Sequence, residues 1–274
     1  MEMQPFLQRD RIRMNTGQQQ TWAAGDYSVI AETFILMSEN LCEAVDVHAD
    51  QEVVDIATGS GNTALAAARR WCKVTGLDYV PALLERARER AAAERLPITF
   101  LSGDAQHLPF SDASFDVVLS TIGVMFVPDQ EQAAAELLRV CRAGGKIGLA
   151  NWTPGGLYGQ LFHIIEEYVP SAAEVKSPAL WGTEERVREL LGKGVTSLRT
   201  TTRNFLWRYR SSQHWLEIFG TCFGPVVAAL KVLDPASRER FTRDLIAMVE
   251  NANLANDGTL VAPAEYLEVV ATRK

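Results

Sequence analysis

The sequence is short of the residues that build special-purpose scaffolds. Four cysteines, Cys42, Cys72, Cys141 and Cys222, are spread over 274 residues with no C-x-x-C pair. That spacing makes no disulfide framework; reduced, mostly buried thiols in a cytoplasmic compartment are expected. The four histidines, His48, His107, His163 and His214, show no metal-ligand spacing, so no metal site is expected. Glycine (19) and proline (11) are too scarce for a collagen-like or low-complexity chain. No run approaches the ~18 consecutive apolar residues of a membrane span. The opening Met1-Glu2-Met3-Gln4-Pro5 has neither a basic nor an apolar leader segment, so secretion is not signalled. A basic surface is missing too: 27 Lys and Arg against 34 Asp and Glu give a formal net charge of −7, which argues against nucleic acid as a partner. The acidic excess falls in the first 152 residues and the remainder is balanced. Arg199, Arg203, Arg208 and Arg210 are the densest cationic stretch, but they interleave with Phe205, Trp207 and Tyr209 as in a half-buried strand.

What is present is an ordinary globular balance, 47% hydrophobic and 22% charged, and an alternation of strand and helix signals through the middle third. Glu52 to Ala57 reads as a buried strand running into the turn Thr58-Gly59-Ser60-Gly61, and Asn62 to Trp71 as an alanine-dense helix. Lys73 to Leu77 is a second strand, ending at Asp78; Pro81 suits the first turn of a helix reaching about Arg95. Its Glu85–Arg88 and Arg90–Glu94 pairs describe a solvated face. Ile98 to Leu101, Phe115 to Thr121 and Lys146 to Trp152 are further strands, the last preceded by an amphipathic helix from Gln130 to Arg142. Such alternation places the chain in the α/β class, with a parallel sheet covered by helices on both faces. Residues 1–49 read as mainly helical, with Ile30, Phe34, Met37 and Leu41 at helical spacing. Beyond Pro154, helices are expected around Gly159–Tyr168, Thr183–Leu191, Gln213–Phe219 and Pro235–Asn251, and a last strand over Tyr266–Thr272.

Three acids carry most of the chemical information. Asp55, Asp78 and Asp104 each stand at the end of a strand, where open α/β sheets bind their ligands. Glycines in the first turn let a ligand approach the backbone. Gly59-Ser60-Gly61-Asn62-Thr63-Ala64 also satisfies the G-x-G-x-x-[G/A] pattern of nicotinamide-dependent oxidoreductases. Asp55 counts against that alternative, since a carboxylate inside the turn repels a pyrophosphate. A cationic ligand with a ribose and an amino-bearing base suits all three acids, and S-adenosylmethionine has those features.

These blocks resemble the class I S-adenosylmethionine-dependent methyltransferases, and among them the ubiquinone/menaquinone-biosynthesis type. The resemblance rests on Val53 to Asn62, Gly76-Leu77-Asp78, Gly103-Asp104-Ala105 with Leu108-Pro109-Phe110, Phe115 to Ser120, and Glu136 to Ile147, so it spans about residues 50–152. It implies a Rossmann-like, seven-stranded, mostly parallel sheet, with residues 1–49 as a helical cap, 50–152 as the cofactor core and 153–274 as an acceptor-covering insertion with the last strands. It implies S-adenosyl-L-methionine as cofactor. Asp55 and the turn formed by Ala57, Thr58, Gly59, Gly61 and Asn62 would surround the methionine moiety, with Ser120 and the residues just after it beneath. Asp78 would take the ribose hydroxyls and Tyr79 the adenine face. Asp104 would take the adenine amine, with the Ala105 N–H on a ring nitrogen. Ala57 stands where the family most often has glycine, and an alanine is tolerated there at a negative φ.

Outside the core, Trp22 and Tyr27 are candidates to close over the cofactor, and equally readable as packing of the cap. Met125, Phe126, Trp152 and Trp181 are candidates for an acceptor pocket, and equally readable as core. A soft or ionised acceptor needs no strong base; an uncharged hydroxyl or amine would turn to Tyr27, His163 or His214. The expected function is methyl transfer by in-line displacement to a small, largely apolar acceptor, with release of S-adenosylhomocysteine. A non-catalytic cofactor-binding protein on the same fold is the other alternative. Ser120-Thr121-Ile122-Gly123, in place of a Pro-Pro-Tyr-type motif, argues against a nucleic-acid acceptor. The sequence carries no signal of oligomeric state.

Overall fold

The computed structural model describes residues 17–170 and 176–274. The opening pentapeptide and the first third of the 1–49 cap therefore lie outside the described residues. Seven strands form one sheet: β1 (Glu52–Ile56), β2 (Lys73–Asp78), β3 (Ile98–Ser102), β4 (Phe115–Thr121), β5 (Cys141–Trp152), β6 (Val195–Tyr209) and β7 (Leu260–Arg273). Their spatial order is β3-β2-β1-β4-β5-β7-β6. The first five are parallel neighbours, and β7 runs antiparallel between β5 and β6. The carboxyl ends of β1 to β6 therefore share one edge.

The central strands are continuous apolar runs because a parallel sheet is covered on both faces. Val53, Val54 and Ile56 of β1 and Val117, Val118 and Leu119 of β4 are all fully buried. Helical residues 17–22 (α1), α2 (Ser28–Ala31) and α3 (Ile35–Val45) precede the sheet, and α4 (Asn62–Ala68), α5 (Pro81–Glu94) and α6 (Gln130–Val140) connect its parallel strands. Small residues let α4 settle closely; Ala64, Ala66 and Ala67 are fully buried. After β5 come α7 (Leu157–Tyr168) and α8 (Glu184–Leu191), and between β6 and β7 come α9 (Ser212–Cys222), α10 (Gly224–Val232) and α11 (Pro235–Asn251). Among the described residues no single helix is long and apolar enough to cross a membrane. All four cysteines are unpaired with one another; Cys42, Cys72 and Cys141 are buried and Cys222 is half-buried.

Several elements differ from the sequence reading. The helix before β5 ends at Val140 and the strand starts at once at Cys141. Gly144 at φ 77° absorbs the extra residues, where the β4–β5 register shifts between Phe115 and Val117. The sequence reading places no helix over Gly224–Val232, where α10 forms; its proline sits in the helix's own first turn, where no N–H is needed. Arg90 does not make the expected ion pair with Glu94. It donates to Ser60 O at 2.7 Å and Ser60 Oγ at 3.2 Å, while Glu94 takes Arg69.

The cap and the late helices interlock through two glycines. A Cβ on Gly25 would lie 2.6 Å from Cys222 O, and one on Gly224 would lie 2.1 Å from Thr21 O. Backbone meets backbone here, which only residues without a side chain permit. The contact fixes Trp22 and Tyr27 over the carboxyl edge of the sheet.

Candidate active site

The ends of β1, β2, β3 and β4 surround a cavity of about 330 Å³, closed on one side by α1. Each wall follows from local chemistry. At the end of β1, Asp55 is 1% exposed. Its Oδ2 accepts from Thr58 Oγ1 (2.6 Å) and from the Ala64 N–H (3.0 Å). Burial pushes its carboxyl up to about 7, those hydrogen bonds oppose the rise, and nearby Asp78 adds to it. Asp55 thus stands behind the turn, clamping it to the first turn of α4, rather than on the cavity wall.

The turn itself is conformationally special. Ala57, Gly59 and Gly61 have φ of 53°, 54° and 89°. The condition under which an alanine is tolerated there, a negative φ, is therefore not met by Ala57. An L-residue in this left-handed region bears a cost of about 1–2 kcal/mol. Just past β4, Ile122 is also left-handed, at φ 55°, an outlier for a β-branched residue. Its N–H is held by Ala150 O at 2.8 Å. Gly123, next in the chain to Ile122, lies against Ala57: a Cβ on it would be 2.6 Å from Ala57 O. Strain concentrated where backbone lines a cavity is a mark of functional sites.

At the end of β2, Asp78 is 5% exposed and lines the cavity. Oδ2 accepts from the Gly59 N–H (2.8 Å) and Oδ1 from the Val80 N–H (2.9 Å), so one carboxyl ties the β1 turn to the entry of α5. Burial raises its carboxyl above the usual range, against those two hydrogen bonds. At the end of β3, Asp104 accepts from the Gln106 N–H (2.9 Å) and side-chain amide (3.2 Å) and shares the wall with Ala105. Tyr79 lines the same wall; burial and the charges of Asp78 and Asp104 keep its phenol protonated.

Helix α1 supplies the opposite wall through Gln18, Gln19 and Trp22, with Tyr27 beyond it. The Gln19 amide donates to Tyr79 O, joining α1 to the end of β2. The Trp22 ring packs on Tyr27 (5.2 Å), Phe126 (4.6 Å) and Phe223 (5.7 Å). Burial raises the Tyr27 phenol, and Tyr209 adds to the rise. A phenol so raised is a hydrogen-bonding group at neutral pH and takes up no proton.

The other residues singled out from sequence lie elsewhere. Thr58, Gly61, Asn62 and Ser120 brace the wall from behind; Asn62 Nδ2 donates to Ala31 O (2.6 Å), and Ser120 Oγ donates to Ile56 O (2.7 Å) and accepts from the Val124 N–H (2.9 Å). Phe126 lines the cavity, whereas Met125, Trp152 and Trp181 are fully buried off its wall. His163 is exposed on α7 beside Glu167 (3.3 Å). His214 accepts from the Arg210 N–H (3.4 Å) at the start of α9. Neither ring reaches the cavity wall, so the geometry gives them no reacting proton to take. Sequence reasoning passed over Gln18 and Gln19, wall residues whose types announce nothing, whereas Ile122 and Gly123, just after Ser120, do line the cavity. Among the described residues no three His, Cys, Asp or Glu side chains are gathered as for a metal ion.

Residues 54–149 match the family model of a methyltransferase domain. The chain is 38% identical to the uncharacterized protein Rv1405c of Mycobacterium tuberculosis over 259 residues, covering 92% of this chain and 93% of that one. It is 38% identical to the demethylmenaquinone methyltransferase of Deinococcus radiodurans over 126 residues, 44% of this chain and 52% of that one. The structure of the YcgJ protein from Bacillus subtilis shares the fold, with a TM-score of 0.62 at 20% identity over 87% of this chain and 98% of that one. A nicotinamide-dependent oxidoreductase finds no support in these relationships. Strand order, carboxylate-ended strands and relatives agree: the chain belongs to the class I S-adenosylmethionine-dependent methyltransferases.

Proposed function

We propose that this methyltransferase acts on a small, largely apolar acceptor by in-line displacement, and that the cavity at the ends of β1 to β4 holds its cofactor. The observation that carries the reading is the placement of Asp78 and Asp104 on one wall, facing Trp22, Tyr27 and Phe126 on the other. S-adenosylmethionine supplies an electrophilic methyl group on a sulfonium and leaves as S-adenosylhomocysteine.

The residues fit that ligand. Asp78 keeps carboxylate lone pairs beyond those used by Gly59 and Val80, enough for two ribose hydroxyls. Asp104 and the Ala105 backbone suit an amino-bearing base, and Tyr79 offers it an aromatic face. A Cβ on Gly59 would meet nothing within 4 Å and would project into open space, so the glycine leaves room for a ligand against the backbone. With Tyr27 held protonated and both histidines off the wall, the site favours an acceptor that is already ionised or intrinsically nucleophilic. Its main contribution is then alignment of the reacting atoms, able to supply about 7–11 kcal/mol of the barrier. The demethylmenaquinone methyltransferase relative matches 44% of this chain, and an apolar acceptor is in keeping with it.

Turnover with labelled S-adenosylmethionine against a panel of thiols, phenols, quinols, amines and carboxylates tests the reading. Activity is expected with apolar thiols, phenols or quinols; activity confined to amines or carboxylates would contradict it.

The cofactor is cationic at its sulfonium, and Asp55 titrates at about 7 in the cofactor-free protein. A bound cation favours the ionised carboxyl, so affinity is expected to fall as pH is lowered through that range, by at most about tenfold per pH unit for one linked proton. Calorimetry in buffers of different ionisation enthalpy should register proton release, and Asp55→Asn should abolish it. The sign for stability is opposite. Because the folded pKa is raised, Asp55 works against the cofactor-free fold as pH rises from the ordinary carboxylate range towards 7.

A further inference from the structure

The turn after β3 is fastened to the start of α6 by a closed loop of polar contacts, and Gln106 is at its centre. Gln106 is 5% exposed and lines the cavity beside Asp104 and Ala105. Its side-chain amide donates to both oxygens of Asp104, at 3.2 Å each, and its backbone N–H donates to Oδ1 at 2.9 Å. The other end of the amide, Oε1, accepts from the Asp129 N–H at 3.2 Å. Asp129 caps α6 by accepting from the Gln132 N–H at 3.0 Å, and the Gln132 amide returns to Gln106 O at 3.0 Å. The segment just before Asp129, from Phe126 to Pro128, lines the same cavity.

The two ends of this amide are not interchangeable. A backbone N–H only donates and an ionised carboxylate only accepts, so Oε1 must meet Asp129 and the NH2 group must meet Asp104. Few side chains satisfy both. Glutamate would set a second carboxylate against Asp104, asparagine is one methylene short, and methionine keeps the shape without either polar end. A donor shared between the two oxygens fixes the plane of the Asp104 carboxylate. An acceptor fixed in this way rewards a donor on the ligand and rejects a second acceptor. On a purine the 6-position decides which of these arrives. Adenine carries an amino donor there and an acceptor at the adjacent ring nitrogen, whereas hypoxanthine carries a carbonyl oxygen and an N–H, the reverse at both positions.

We propose that Gln106 is a positioning residue: by holding the Asp104 carboxylate as an oriented acceptor, it makes the site selective for a 6-amino purine over a 6-oxo purine. The proposal rests on the reading of Asp104 as the acid that meets the cofactor's base. Calorimetric titration of the full chain with S-adenosylhomocysteine and with S-inosylhomocysteine, which differ in the base alone, tests it. The native chain should prefer the adenine ligand by about 10-fold or more, as for a hydrogen bond to a charged group. Gln106→Met should weaken the adenine ligand by roughly 3- to 10-fold and leave the hypoxanthine ligand within about twofold, so the preference shrinks by the same factor. Gln132→Met is the matched control. It cuts the same connection to α6 at Gln106 O but leaves the amide on Asp104, so any loss should fall on both ligands alike. Thermal melting recorded beside each titration separates lost fold from lost preference, and if Gln106→Met does not fold the same ratio is read on Gln106→Glu, where it should shrink at least as far. A full preference retained by the Gln106 variant, or one lost equally in Gln132→Met, would overturn the positioning role. A native chain that binds both ligands equally would instead remove Asp104 from the base and overturn the reading beneath it.

Discussion

Replacing Asp78 by alanine is expected to weaken S-adenosylmethionine binding about 5- to 150-fold, with the fold retained. Two losses combine in that figure. The ribose hydroxyls lose a carboxylate acceptor, worth about 1–3 kcal/mol for a hydrogen bond to a charged group. The Gly59 and Val80 N–H groups lose the oxygens that hold them at 2.8 and 2.9 Å, and with them the register between the β1 turn and α5. Stability suffers less than affinity, because burial already raises the Asp78 carboxyl and makes its ionised form costly in the cofactor-free protein. Asp78→Asn keeps the shape but turns one acceptor into a donor, so it should fall between the two. Calorimetric titration of the three proteins, with thermal melting in parallel, makes the comparison. Equal affinities would remove Asp78 from the cofactor site.

Gly123→Ala is the second large effect. Gly123 has φ of −115°, a torsion any residue adopts, so the consequence of the added methyl is purely steric. It would lie 2.6 Å from Ala57 O, 2.7 Å from Ala57 Cβ and 3.1 Å from Ser120 Oγ. None of these neighbours can yield cheaply. Ala57 is already in the left-handed region, and Ser120 Oγ is fixed between Ile56 O and the Val124 N–H. The backbone must move, at about 1–3 kcal/mol for overpacking, and what moves is the cavity wall. Displacements of about 1 Å at a reacting site can cost on the order of 100-fold in rate, so turnover should drop by one to two orders of magnitude while melting falls by several degrees. Gly155→Ala is the matched control: nothing lies within 4 Å of its added Cβ, and stability should stay within about 0.5 kcal/mol. A Gly123→Ala protein that melts and turns over like the native one would show that the Ala57–Gly123 contact is soft.

The cofactor half was readable because its signals are local. Val53-Val54 and Val117-Val118 are the buried runs of central parallel strands, and each acid falls where a run stops. The same logic could not foresee the left-handed torsion of Ile122. A β-branched residue argues against positive φ, and the Ile122 torsion goes with a hydrogen bond to Ala150 O on the neighbouring strand, remote in sequence. Nor could it separate Asp55, which braces the turn, from Asp78, which faces the cavity, because both end a strand and both are buried. The ring contacts of the late helices were out of reach for a different reason. The rings of Trp22, Trp152, Tyr158, Trp207, Trp215 and Phe223 come from α1, β5, α7, β6, α9 and the residue joining α9 to α10, far apart in the chain, and no periodicity within one segment announces that they meet. The histidines illustrate the opposite failure: chemistry-bearing types, drawn to attention by type alone, that the fold leaves on the surface of α7 and the start of α9.

The most direct measurement is ultraviolet crosslinking of labelled S-adenosylmethionine to the native chain, followed by peptide mapping. Label on the peptides carrying Trp22, Tyr27 or Tyr79, lost when Asp78 is alanine, is the predicted result. Label on peptides remote from the ends of β1 to β4, or saturable binding that leaves those peptides unmarked, would contradict the account.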